Sequence, residues 1–207
     1  GRPVFAGDLD LPGTLHLALL ASPHAHARIR RIDAGPAARL PGVALVLTHE
    51  NTPTVRFTTA GQGYPEPSPY DARMFDPKVR FVGDRVAVVA AESRRLAEEA
   101  LRLIAVDYEV LPAVLSLDAA LAPGAPVIHD EADAEGIWDA PHNLAAAVEA
   151  VVGDAPAAFG ECAAVVETTT ATQYAQHAPL ETHICQSYLD GNGRLVLHTS
   201  TQVPFHL

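Results

Sequence analysis

The chain has 207 residues, with 14 Lys and Arg against 25 Asp and Glu, for a formal net charge of −11. Hydrophobic residues make up 48%, enough to build a core, which excludes an intrinsically disordered segment; the acidic balance excludes the basic footprint of a nucleic-acid binder. Two cysteines, Cys162 and Cys185, are too few for a disulfide scaffold, a four-cysteine zinc site or an iron–sulfur cluster held wholly within this chain.

In chain order, Leu15 to Leu20 is an apolar run broken by Ser22-Pro23-His24. Ala27 to Ile32 alternates with one irregular step and predicts a half-buried strand. Asp33 is placed to cap a short helix with Pro36 in its first turn, Pro41-Gly42 ends it, and Val43 to Leu47 predicts the next strand. Residues 51–78 are rich in Pro, Gly and Thr and read as a long surface loop. Val86 to Ala91 predicts an apolar strand. Ser93 then caps a helix whose Leu96, Ala97, Ala100, Leu103 and Ile104 recur at helical spacing, and Ala105 to Val110 returns to alternation. Strand, helix, strand thus occurs twice, and the expectation is an α/β layer with helices on one side of a sheet. Leu117 to Leu121 predicts one or two helical turns, and Pro123 through His142 reads as an extended crossing segment. Asp154 is a candidate cap for a short helix through Phe159, Cys162 to Thr172 and Glu181 to Leu189 have strand-like composition, and Asp190-Gly-Asn-Gly193 predicts a hairpin turn. A hairpin plus one more strand cannot bury both its faces, so further chain or a partner is expected to cover this last part.

Chemistry-bearing residues gather at His177-Ala-Pro-Leu-Glu181-Thr-His183. In a strand, Glu181 and His183 share a face. The bland outcome is a buried Glu–His hydrogen bond; the sharper ones are a pocket-lining corner or, with a third ligand, a zinc site. Pro179 rules out the paired-histidine helix of a metalloprotease. His24-Ala-His26 lacks a nearby third ligand and is expected to be structural, as is Arg80-Phe-Val-Gly83-Asp84-Arg85, where Gly83 suits a tight turn and Asp84 accepts backbone N–H groups. Cys185, among apolar neighbours, is not expected to carry an activated thiolate. Glycine-rich nucleotide loops and a nucleophile elbow are absent from the sequence.

Several motifs, in order, resemble one family. Gly7-Asp8, Leu11-Pro-Gly-Thr-Leu-His16, Ser22-Pro-His-Ala-His-Ala-Arg-Ile29, Leu40-Pro-Gly-Val43 and Val79-Arg-Phe-Val-Gly-Asp84 are similar to the α/β-hammerhead domain that opens the molybdenum-binding subunit of the xanthine dehydrogenase/aldehyde oxidase molybdenum hydroxylases. Gln176-His-Ala-Pro-Leu-Glu-Thr-His183 and Ser200-Thr-Gln-Val-Pro-Phe205 resemble the start of the molybdopterin-binding domain that follows. The resemblance implies an α/β fold divided as 1–122 hammerhead, 123–143 connecting segment and 144–207 beginning of the molybdopterin-binding domain. It implies oxidation of an aldehyde, N-heterocycle or similar small substrate with water-derived oxygen, or of carbon monoxide in one branch, toward whose wording the His-x-Pro-Leu-Glu-Thr segment leans.

The implied cofactor is molybdopterin or its cytosine dinucleotide form, bound mainly by downstream chain. Electrons would pass to [2Fe-2S] clusters and usually FAD in partner subunits or domains, so the remainder of the molybdenum subunit, an iron–sulfur subunit and an FAD subunit are the expected partners. The resemblance points to Gln173, Gln176, His177, Glu181, Gln202 and Phe205 as cofactor-binding residues, with Glu181 organising the corner rather than reacting and no metal ligand. Members that oxidise purines place a glutamine where this chain has Ala175, a departure that counts against that branch. The family's Gly-rich loop and catalytic glutamate are expected beyond residue 207, so no catalytic residue is assigned here and the isolated chain is expected to be inactive. Two other readings remain: a non-catalytic assembly domain of a redox complex, docking through its sheet and loop 51–78, and a small zinc-dependent hydrolase using His177, Glu181 and His183. The expected location is the cytoplasm, with no transmembrane segment, since no apolar run reaches about 18 residues and Gly1-Arg2-Pro3 carries no leader pattern.

Overall fold

The computed structural model describes residues 5–9, 11–59 and 68–201. Packing divides the chain into two units: Leu11–Ala147, and Gly1–Asp10 together with Val148–Leu207.

The first unit is built from two three-stranded sheets rather than the single expected layer. One has the order β1 (His16–Ala21), β5 (Arg85–Ala91), β3 (Val43–Thr48), all antiparallel. The other has the order β4 (Lys78–Val79), β2 (Ala27–Asp33), β6 (Ala105–Val110). The irregular step in β2 is a register shift against β6 between Ile29 and Arg31. One extra residue there moves Ile32, not Arg31, onto the face already occupied by Ala27 and Ile29, and all three are buried. They pack with Val79, Val86 and Ala87 in one core cluster. A second cluster joins Val46, Val89 and Ala91 to Ala37 of α1 (Gly35–Ala38) and to Ala97 and Ala100 of α2 (Arg94–Leu101). The Ser93 hydroxyl accepts the Leu96 N–H at 3.3 Å, capping α2 as its sequence predicts. β2 and β6 pair with each other while β1 and β3 both pair with β5, and the central strand β5 is buried on both faces, with adjacent Val89 and Ala90 both inside.

The described parts of loop 51–78 are tied down: Phe57 bridges Ala72, and Tyr70 bridges Glu135; residues 60–67 lie outside the described residues. Gly83 takes φ +98° in the turn before β5, the left-handed conformation its position requires, while Asp84 accepts the backbone N–H groups of Arg80 (3.0 Å) and Arg85 (2.8 Å). After α3 (Leu117–Leu121), the segment expected to be a free crossing is stitched to the unit. Asn143 donates its amide to Ala120 and Pro126 carbonyls at 3.0 and 3.1 Å and accepts the Ile128 N–H at 2.9 Å.

In the second unit, Asp154 caps α4 (Ala155–Glu161) by accepting the Ala157 N–H at 3.0 Å. The predicted hairpin is present as β7 (Cys185–Leu189) paired with β8 (Leu195–Thr199). Two expectations fail here. Residues 162–172 form no strand, and the strand expected from Glu181 begins only at Cys185. Strand composition needs a neighbour to pair with, and Val165 and Val166 are instead exposed at 61% and 85%. Among the described residues, no helix is long and apolar enough to cross a membrane.

Candidate functional site

The 173–183 corner lies before β7 in irregular backbone, with Gln173, Gln176 and His177 exposed. The Gln176 side-chain oxygen accepts the His177 N–H at 2.9 Å. That engagement leaves the amide N–H groups as the part of the side chain free to meet a ligand. Ala178, directly before Pro179, has φ +46°, a left-handed conformation that costs a non-glycine residue strain and persists only where the surroundings over-determine it.

Glu181 does not pair with a histidine. Its carboxylate accepts the Ala6 N–H at 3.0 Å. The Ala6 N–H, then Ser200, hold its pKa below the usual carboxylate range. The expected buried Glu–His hydrogen bond is therefore replaced by a contact to a segment 175 residues earlier. The shared strand face for Glu181 and His183 is also absent, because both precede β7. Among the described residues, no group of three or more His, Cys, Asp or Glu is arranged to hold a metal ion, so His177, Glu181 and His183 are not brought together as a zinc site. Phe5, Ala6, Leu9, Glu181, His198, Thr199 and Ser200 line an open cleft. Cys185 opens β7 and is exposed with a free thiol. Gln202 and Phe205 lie outside the described residues.

The other histidine pair is structural, as expected. His24 packs edge-on against Tyr108 with ring centroids 4.9 Å apart, and buried His26 places Nδ1 2.7 Å from the Pro112 carbonyl.

Sequence reading missed an ion-pair network in the first unit. Lys78, 3% exposed, donates to the Ile128 carbonyl and to Asp130, each at 2.6 Å. Arg56 meets Asp133 at 2.8 Å and Asp76 at 3.5 Å, Arg80 meets Glu131 at 2.7 Å, and Arg73 pairs with Asp133. Burial alone pushes the Glu131 carboxyl up, but hydrogen bonds from His129 and Arg80 hold it well below the usual range. Arg56 and Arg73 do the same for Asp133. The only signal in the sequence is the acidic run His129-Asp130-Glu131-Ala-Asp133 facing scattered arginines of residues 56–80.

A two-sheet α/β unit followed by a capped helix, an irregular His-x-Pro-Leu-Glu corner and a hairpin defines the class: an α/β-hammerhead domain followed by the start of a molybdopterin-binding domain. Residues 1–112 match the family described as "Aldehyde oxidase and xanthine dehydrogenase, a/b hammerhead domain", and residues 137–207 match "Molybdopterin cofactor-binding domain". The chain belongs to the xanthine dehydrogenase/aldehyde oxidase family, as an N-terminal region of its molybdenum-binding subunit. It is 43% identical over 233 aligned positions to the probable hypoxanthine oxidase XdhD of Escherichia coli K12, covering 100% of this chain and 24% of that protein. It is 33% identical to the nicotinate dehydrogenase large molybdopterin subunit of Eubacterium barkeri, covering 100% of this chain and 45% of that one. Among solved structures, a Cu,Mo-CO dehydrogenase matches with TM-score 0.75 and 31% identity over 95% of this chain and 25% of that chain. Quinoline 2-oxidoreductase from Pseudomonas putida 86 matches with TM-score 0.69 and 33% identity over 96% and 24%. The chain spans about a quarter of the length of the first of these relatives.

Proposed function

We propose that this chain is part of the molybdenum-binding subunit of a cytoplasmic hydroxylase that oxidises an aldehyde, N-heterocycle or similar small molecule with oxygen derived from water. In sequence order it supplies a hammerhead part (1–122), a connecting part (123–143) and the beginning of the molybdopterin-binding domain (144–207). Bound molybdopterin, or its cytosine dinucleotide form, would supply the redox chemistry. Electrons would leave to [2Fe-2S] clusters and usually FAD on partner subunits or domains, which fits the two cysteines of this chain.

The observation that carries the reading is the corner itself. It presents amide and imidazole groups on Gln173, Gln176 and His177 in irregular, exposed backbone, a donor set that fits hydrogen bonding to an oxygen-rich pterin group. Glu181 positions the corner: its carboxylate already accepts the Ala6 N–H, so it is occupied as an anchor. Gln202 and Phe205 complete the proposed cofactor-binding set.

N-heterocycles are the first substrates to test, because relatives named for hypoxanthine, nicotinate and quinoline all match this chain. The complete complex, given an artificial electron acceptor and ¹⁸O-labelled water, is expected to place the label in the product. Unlabelled product, or label arriving only from ¹⁸O₂, would contradict the proposal.

A further inference from the structure

Family boundary and packing boundary part company at the start of the chain. Residues 1–112 match the hammerhead family, yet 5–9 belong to the same compact unit as the 177–183 corner. We infer that residues 5–9 are a strap of the molybdopterin-binding unit, and that Glu181 and Gln186 are positioning residues that lock the corner to it. The strap's contacts stand on their own; its role toward a pterin rests on the function proposed above.

Three contacts build the strap. Glu181 accepts the Ala6 N–H at 3.0 Å. The Gln186 amide, from β7, donates to the Leu9 carbonyl at 2.7 Å. Between them Gly7 approaches Ile184 closely enough that a Cβ at residue 7 would stand 2.7 Å from Ile184 Cδ1, and the tip of that side chain would have to turn aside. Residues 6, 7 and 9 therefore meet 181, 184 and 186 in order, and the strap follows the chain from the corner into the hairpin.

The hydrogen-bond inventory says why Glu181 is the partner. The strap is a single tight turn, Ala6–Asp8, in which the Asp8 carboxylate accepts the Phe5 N–H at 3.0 Å. The Ala6 N–H is left over and needs an acceptor; a carboxylate gives the stronger, charge-assisted form. Glu181 thus ties the Ala6–Asp8 turn to the corner. The hydrogen bond does not require a negative charge, because a glutamine oxygen also accepts.

The test uses the complete subunit in its complex, comparing wild type, Glu181→Ala, Glu181→Gln and Gly7→Val. Hydrogen–deuterium exchange is read in peptides covering 5–9 and 176–184, and bound pterin is counted per subunit. Glu181→Ala is expected to speed exchange about ten- to a hundredfold in the 5–9 peptide, whose Ala6 N–H loses its acceptor, as loss of a hydrogen bond to a charged group implies. Glu181→Gln is expected to restore most of the protection, because its side-chain oxygen still accepts the Ala6 N–H as a weaker, neutral hydrogen bond. Gly7→Val is expected to repeat the Glu181→Ala pattern, and adding Ile184→Ala to it to restore protection; this pair decides the matter if Glu181→Ala does not fold. An exchange increase confined to 176–184, or Glu181→Gln as damaging as Glu181→Ala, overturns the strap. Pterin present in wild type with 5–9 unaffected in Glu181→Ala overturns the strap and leaves the proposed function standing. Strap exchange as expected with no pterin in wild type overturns the proposed function and leaves the strap.

Discussion

The two units of this chain solve the burial problem in opposite ways. Leu11–Ala147 closes two clusters of its own, with Val79, Val86 and Val89 fully buried. In the other unit none of the described residues is buried, and apolar side chains stand in solvent: Tyr174 at 101%, Val152 at 96%, Leu180 at 92%. An apolar surface left open in this way fits contact with another part of an assembly; under the function proposed above, that part is the rest of the subunit. The hammerhead unit is a self-sufficient scaffold, whereas the cofactor unit takes its order from what packs on it, beginning with the strap at 5–9.

The largest expected effect that sharpens this contrast is on core truncation. Val89→Ala should destabilise the chain by about 2 kcal/mol in urea unfolding, combining lost burial and a residual cavity. Val166→Ala, at a residue 85% exposed, should change stability by less than about 0.5 kcal/mol in the same 207-residue chain. Equal costs at the two sites would erase the distinction between the units.

A second effect concerns pH. The Glu131 carboxyl is held well below its ordinary value by His129 and Arg80 despite its burial. A depressed carboxylate contributes stability that is fully present above the unfolded pKa of about 4.3 and is lost as pH falls through the folded value. Unfolding free energy should therefore fall as pH drops below about 5, and Glu131→Gln should flatten that slope while costing about 1–3 kcal/mol at neutral pH through unpaired partners. An unchanged acid slope in Glu131→Gln would remove the network from the account of how 127–133 is held.

Much of the scaffold was legible because its signals are local. The β2 irregularity at Ile29–Arg31, the Ser93 cap, the Asp154 cap and the Asp190–Gly193 turn all depend on residues within a few positions. The two-sheet arrangement was not, because nothing in a strand's own residues says which partner it will choose. The corner was recognisable as a motif, but its geometry was not. Glu181 and His183 share a face only inside a strand, and the backbone reaches β7 two residues later. The true partner of Glu181 is a backbone N–H 175 positions away, with no side-chain signature to find. The ion-pair network failed to show for the same reason, its members being spread from Arg28 to Asp133.

The central claim, that this chain belongs to a working molybdenum-binding subunit, is tested most directly by intact mass and metal analysis of the native complex that contains it. The account predicts co-purifying chain or subunits, with about one molybdenum and about four iron atoms per assembly, the iron content of two [2Fe-2S] clusters. A lone 207-residue species without molybdenum or iron would contradict it, and stoichiometric zinc in that sample would point to hydrolase chemistry instead.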